Sequence, residues 1–407
     1  MSDHFDRYET RTPKSRENAF FRDLKAIVSV AKSRAAGLRK QIRNINITEI
    51  KRREDLERIP LLSKSDLRHQ QAEEPPYGGY VAARPGTLRH VLIGCVEGQA
   101  RDWWGAARAL SAAGIRAGDV VLNCFSYHLS SAGHIIDSGA AALGCAVIPA
   151  GKAPIERQLD AIHELKPVAY CGKPYFLKQL LERAAEMNRD VSSIKRAFVF
   201  GAPLNDGLRA EFESRGITVR EAYATSDLGV VAFECDGTEG KRESGMVLNE
   251  GLMLEIVKPG TGIPVSEGEI GEVVVTRINV DYPLVRFATG DLSRLLPADA
   301  GSGRTNQRIA GWLGRVEQIV HLGERAILPT QVMEIAKHHA QVSRLRLVVQ
   351  DSGIVLKAEC AEPCESLSAE LANELKLITG SGGRVEIVPP GTLPFDRKFI
   401  ADERRQA

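Results

Sequence analysis

The sequence predicts an α/β protein: a large N-terminal domain in several parts, on a mainly parallel sheet with an antiparallel β part, followed by a small α+β domain. Three observations carry this. Between about residues 90 and 227, short apolar stretches alternate with amphipathic ones that end at Gly, the pattern of a parallel sheet covered by helices on both faces. After 228 the alternation gives way to Gly/Pro punctuation and strand pairs, as in "GLMLEIVKPGTGIPVSEGEIGEVVVTRIN", which reads as antiparallel sheet. From about 316 a strand-helix-strand-strand-helix-strand order suffices for a separate small domain.

Taken in order, residues 1–80 form a helical part closing in "LERIPLLSKSDLRHQQ", where Ser63 or Ser65 can cap a short helix. The α/β part, 81–227, opens with the amphipathic helix "DWWGAARALSAAG" and the buried strand "DVVLNCFSY". Helix "SAGHIIDSGAAALG", strand "CAVIPA", helix "ERQLDAIHELKP", strand "VAYCG" and helix "PYFLKQLLERAAEM" follow. Strand "IKRAFVFG", helix "LNDGLRAEFESRG" and strand "TVREAYATSD" complete it. Ligands of such sheets bind beyond the carboxyl ends of the strands, which places Tyr127, Gly201 and the 223–227 loop near one another. The β-rich part spans 228–316. The small domain, 317–407, reads as strand "QIVHLGERAIL", helix "PTQVMEIAKHHAQ", strands "RLRLVVQ" and "IVLKAEC", helix "SLSAELANELKLIT" and strand "RVEIVPP", with a charged tail "DRKFIADERRQA".

Composition narrows the class. With 407 residues, 43% hydrophobic and 26% charged, the chain can bury a core, which excludes global disorder. A net charge of +2 makes no general case for nucleic acid or membrane as partner. Residues 14–53 hold twelve Lys or Arg against three acids, which reads as a solvated helix face, with a phosphate-rich partner as the alternative. The seven cysteines sit mostly in apolar runs such as "LGCAVIP", as buried small hydrophobes do in a reducing compartment. The start, "MSDHFDRYETRTPKSREN", has no apolar core of a signal peptide, so the expected location is the cytoplasm.

The stretch "DYPLVRFATGDL", 281–292, ends a strand in a cation, a glycine and a carboxylate. Gly290 permits φ > 0 or close approach of a ligand, and Asp291 offers an acceptor for two hydroxyls, as vicinal sugar hydroxyls require. Arg286 can pair with a carboxylate elsewhere. Alone, the motif fits a capped turn as well as a nucleotide site.

It has company. In order come "SYHLSSAG" (126–133), "FGAPL" (200–204), "YATSDLG" (223–229), "PLVRFATGDL" (283–292), "GRVEQIVHLGERAILPTQVMEI" (314–335) and "PPGTLPFDRKFIADER" (389–404). Over nearly the whole chain this succession resembles the phenylacetate–CoA ligase branch of the adenylate-forming (AMP-binding) superfamily. The resemblance implies a two-step reaction. A carboxylic acid, aromatic or aryl-acetic, attacks the α-phosphate of MgATP to give an acyl-adenylate, and coenzyme A then displaces AMP to give a thioester. A carrier-protein thiol is the alternative acceptor, and the resemblance leaves room for a homodimer.

Carried over by motif, Asp291 holds the ribose hydroxyls and Arg315 reaches ribose or phosphate. Tyr223 stacks on adenine, with the backbone of Gly201 and Ala202 on the other face. Thr225 touches the α-phosphate, Asp227 stands at the magnesium position, and Tyr127 lines the acyl pocket. Lys398 stabilises the adenylation transition state, and a hinge near Glu317 makes the small domain mobile.

The chain departs from that pattern in four places. "AARPGTLRHV" (82–91) replaces the Ser/Thr/Gly phosphate loop, leaving Arg84 and Arg89 to supply charge. "FGAPL" lacks the usual acid, Gly323 replaces a basic residue, and Arg397 precedes Lys398 where the family has Gly and one more residue of spacing. These departures support a second reading, a catalytically reduced member that binds nucleotide or acyl-CoA as a partner or regulator.

Overall fold

The computed structural model describes residues 4–73, 87–88, 96–98, 100–237, 240–297, 301–339, 341–380, 382–394, 396 and 398–404. The chain forms two compact units, Met1–Thr289 with Ser293–Gly311, and Gly290–Leu292 with Trp312–Ala407.

Local chemistry sets where the helices of the first unit begin and end. Ala132–Leu143 stops at Gly144, whose φ of 88° is open to glycine at no steric cost. Pro174–Glu186 carries Pro at its first position, where no backbone N–H is needed. Asp206–Ser214 is capped by Asn205, whose side chain accepts from Leu208 N at 2.7 Å. At Lys64–Glu73 the cap is Ser63: its hydroxyl accepts from Asp66 N at 3.1 Å, and Asp66 Oδ2 accepts from Ser63 N at 2.8 Å. The helix expected from 102 is shorter, Ala106–Ala112. Asp102, itself at φ 52°, turns its carboxylate onto Ala106 N and Ala107 N and so fixes the start four residues later.

The strands between these helices make one sheet of nine. Ala146–Ile148, Val120–Asn123, Ala169–Gly172, Arg196–Val199 and Thr218–Thr225 lie side by side in that order, all parallel. Gly229–Phe233 then pairs antiparallel with Thr218–Thr225, and Met246–Leu248, Arg308–Ile309 and Leu295–Leu296 continue the same sheet. The change of pattern after 228 thus marks first a reversal of direction within one sheet. A second sheet of four also follows, in the order Leu62–Ser63, Leu284–Ser293, Gly271–Arg277, Leu252–Val257. Leu159, Ile162, Tyr170, Leu177, Phe212 and Val219 form part of a core between helices and parallel strands. Each such side chain contributes about 1.5–3 kcal/mol on burial.

The small unit has a four-stranded sheet in the order Arg384–Val388, Gly353–Cys360, Val342–Gln350, Ile400–Asp402, with a central antiparallel pair and parallel edges. Helices Pro329–His338 and Leu367–Thr379 contribute Val332, Ile335, Leu367, Leu371 and Leu375 to its core. Two details differ from expectation. "QIVHLGERAIL" is a hairpin, Val320–Leu322 with Arg325–Ile327, because Gly323 turns the chain at φ 61°. The charged tail contains a strand, whose Ile400 is 2% exposed and pairs with Leu347.

Candidate active site

In the large unit, the connections that leave the carboxyl ends of three parallel strands touch one another. Phe125, after Val120–Asn123, stacks on Phe200, after Arg196–Val199, with ring centroids 3.9 Å apart. Ser131 Oγ donates to Ser226 O, just beyond Thr218–Thr225, at 3.2 Å. The structure therefore brings together the segments that carry Tyr127, Gly201 and the 223–227 loop.

Tyr127 is half-buried and locked. Its hydroxyl donates to Asp137 Oδ1 at 2.8 Å and accepts from Asn123 Nδ2 at 2.8 Å. Burial, then the Asp137 contact, pushes the phenol well above its usual pKa. A Cβ on Gly133 would stand 2.8 Å from the ring, so that glycine makes its seat. Asn123 and Asp137 are functional candidates that the sequence did not single out; their spacing to Tyr127, four and ten residues, carries no pattern of its own.

Gly201 is exposed at φ 75° and a Cβ there meets nothing within 4 Å, so backbone conformation alone selects glycine. Ala202 beside it is half-buried. Tyr223 is 5% exposed on Thr218–Thr225. Thr225 Oγ1 accepts from Leu228 N at 3.1 Å, closing the turn while its own proton stays available to donate. Gly229 follows at φ 75° with its missing Cβ 2.2 Å from Trp104 O; no other residue fits. The Asp227 side chain is 1% exposed, and Lys64 Nζ stands 4.0 Å from its Oδ2. Lys64, in "LLSKSDL", was also not singled out from the sequence.

Two residues before Tyr223, Glu221 is half-buried beside Glu234. Burial first, then the negative charge of Glu234, raises the Glu221 carboxyl to about 8. Arg209 and Arg242 both donate to Glu234, at 2.8 and 2.9 Å.

In the small unit, Asp291 and Arg315 face each other across an antiparallel bridge, with Arg315 Nε 3.7 Å from Asp291 Oδ1 and 3.7 Å from Glu317 Oε1. Leu292 N donates to Gly314 O at 2.8 Å and Leu313 N to Leu292 O at 2.9 Å, so the two motifs are held in register. Trp312 Nε1 donates to Asp291 Oδ1 at 3.1 Å. Lys398 is exposed, and its backbone is fixed on both sides. Its N donates to Asp396 Oδ1 at 3.1 Å and its O accepts from Arg346 Nε at 3.1 Å.

Arg286 belongs to the framework. Its guanidinium is buried against Glu255 at 2.9 Å and donates to the carbonyls of Ile59 and Gly262 at 2.8 and 2.7 Å. Arg84, Arg89 and Arg397 lie outside the described residues, as does most of the 82–91 segment.

The strand ends of the large unit carry an aromatic ring, a hydroxyl and a lysine-paired carboxylate, which suit a nucleotide; the small unit by itself carries a carboxylate–guanidinium pair, which suits a sugar. The comparisons agree on the class. Residues 99–280 match the family described as AMP-binding enzyme. The chain resembles 2-hydroxyisobutyryl-CoA ligase in complex with 2-HIB-AMP, with a TM-score of 0.83 and 23% identity over 98% of this chain and 91% of that one. The fold is that of an adenylate-forming ligase.

Among curated proteins, the phenylacetate-coenzyme A ligase of Pseudomonas putida is 29% identical over 84% of this chain and 82% of its own length. That of Aromatoleum evansii is 29% identical over 89% and 87%. The similarity to phenylacetate–CoA ligases thus extends over most of the chain.

Proposed function

We propose that the chain activates a carboxylic acid with ATP to an acyl-adenylate and passes the acyl group to coenzyme A, as an acid–thiol ligase. The single observation that carries this is the similarity to phenylacetate-coenzyme A ligases across both units. An aryl-acetic or aromatic acid is the substrate class we propose on the same ground, in the cytoplasm, where ATP and coenzyme A are at hand. No helix among the described residues is long and apolar enough to cross a membrane.

The chemistry assigns work to each residue. Tyr223 is the ring assigned to adenine, with the Gly201–Ala202 backbone on its other face, where the missing Cβ of Gly201 leaves open space. The Thr225 hydroxyl donates to the α-phosphate, and Asp291 takes the ribose hydroxyls with Arg315 beside it. Tyr127 forms a rigid wall for the acyl group. Lys398 brings positive charge to the point where carboxylate and phosphate, both anions, must meet; such preorganised charge is commonly the largest catalytic contribution. Residues near Glu317 act as the hinge that withdraws it before the thiol arrives.

The Asp227 carboxylate fits magnesium, which takes one or two carboxylate oxygens and completes its shell with phosphate and water. Bound there, the ion would neutralise phosphate charge. Lys64, 4.0 Å from Asp227, adds a second cation on the same side.

The test is ATP- and acid-dependent pyrophosphate release across a panel of aryl acids, with coenzyme A, with a carrier-protein thiol, and with neither. Release confined to one acid class names the substrate, and the productive thiol names the acceptor. Nucleotide binding with no release for any acid would instead favour the non-catalytic reading that the 82–91 sequence suggests.

A further inference from the structure

The indole of Trp312 is half-buried and has two partners within its own unit. Its N–H donates to Asp291 Oδ1 at 3.1 Å, and its ring packs on Phe399 with centroids 6.2 Å apart at 47°. Phe399 is itself anchored: its N donates to Gln318 Oε1 at 3.0 Å and its O accepts from Leu347 N at 2.8 Å. It directly follows Lys398 in sequence.

An ionised carboxylate has about four lone-pair directions, and a vicinal diol uses two of them. The indole N–H takes one of these directions, on Oδ1, and so restrains rotation about the last side-chain torsion. Arg315 cannot do this alone. Its Nε is 3.7 Å from Asp291 Oδ1 and equally far from Glu317, beyond hydrogen-bond range of either.

We propose that Trp312 is a positioning residue for the nucleotide. Its indole N–H orients the Asp291 carboxylate toward the ribose hydroxyls, and Phe399, the neighbour of Lys398, holds the indole in that pose. This rests on the reading of Asp291 as the ribose carboxylate. The effect reaches the nucleotide only through the sugar hydroxyls, which separates it from a general loss of packing.

The experiment measures the affinities of AMP and 2′,3′-dideoxy-AMP by calorimetry, for the wild type, Trp312→Phe and Phe399→Leu. The wild type should prefer AMP by about tenfold or more. Trp312→Phe keeps an aromatic ring but removes the donor, and should narrow that preference about three- to tenfold, the net value of one ordinary intramolecular hydrogen bond. Its affinity for the dideoxy nucleotide should change less than about twofold. Phe399→Leu should narrow the preference in the same direction by less. Equal losses for both nucleotides, or no loss, in Trp312→Phe overturn the proposal while wild-type discrimination leaves Asp291 in its role. An unchanged preference in Phe399→Leu overturns the part given to Phe399. A wild type that does not distinguish the two nucleotides removes the Asp291 reading and this proposal with it. Should Trp312→Phe fold poorly, β-(3-benzothienyl)alanine at 312 preserves the bicyclic shape without the N–H and reads out the same ratio.

Discussion

Arg286 and Glu255 form an ion pair at 2.9 Å in which the side chains are 2% and 7% exposed. The arginine also donates to Ile59 O at 2.8 Å and Gly262 O at 2.7 Å, so one guanidinium ties two segments to the Leu284–Ser293 strand. Removing one partner of a buried pair leaves the other charge uncompensated. Arg286→Ala should therefore lose about 3–5 kcal/mol of stability in urea unfolding. Arg286→Lys, which cannot reproduce the fork, should recover only part. A loss below about 1 kcal/mol for the alanine variant would place the pair in effectively solvated surroundings.

Gly229 and Gly201 share a φ of 75° but differ in their surroundings. Gly201→Ala meets open space and should cost about 1 kcal/mol through backbone conformation. Gly229→Ala drives a methyl to 2.2 Å from Trp104 O and must displace backbone. It should cost about 3 kcal/mol or more and lower the melting temperature several-fold further than the first. Thermal unfolding of the two variants side by side is the check.

Lys398 is exposed and its held position comes from its backbone, so Lys398→Ala should fold as the wild type does. Acid-dependent pyrophosphate release should fall by about 100-fold or more, the scale of one lost transition-state charge contact. Unchanged release would take Lys398 out of the adenylation step.

Glu221 titrates at about 8 in the folded chain, against its usual 4.5. Between these values the folded state keeps a proton that the unfolded state has lost, so this group makes stability fall as pH rises from about 5 to 8. Below that window it contributes no penalty; above it the full penalty remains. Glu221→Gln should flatten this part of the profile and gain on the order of 2–4 kcal/mol near pH 8.5, with little change near pH 4.5. Denaturant unfolding at several pH values reads both arms. An equal shift at every pH would mean that the side chain acts by packing and hydrogen bonding alone.

The parallel sheet was legible because each helix announces its end locally, as at Gly144 and Asn205, and because buried strands are short apolar runs. The strand-end placement of Tyr127, Gly201 and Tyr223 followed from that alternation. What could not be read were partners distant in sequence. Glu255 lies 31 residues from Arg286, on a strand two positions away in its sheet, and no periodicity connects them. Asp137 and Asn123 meet Tyr127 only once the chain has turned into a helix. Ile400–Asp402 escaped notice because three residues among charges look like a tail until Val342–Gln350 supplies a hydrogen-bonding edge. Trp312 stands beside the "GR" motif, but its bond to Asp291 depends on the bridge between two segments.

That short strand also seals the sheet just beyond Lys398. Ile400, Ala401 and Asp402 pair with Leu347, Val348 and Val349, two residues past a lysine that Asp396 and Arg346 hold. A protease that cuts between Lys398 and Ile400 would detach the strand and bare the backbone of Val342–Gln350. The bared strand would then offer a row of unpaired N–H and C=O groups to any other chain, so three residues of an apparent tail guard the molecule against edge-to-edge association.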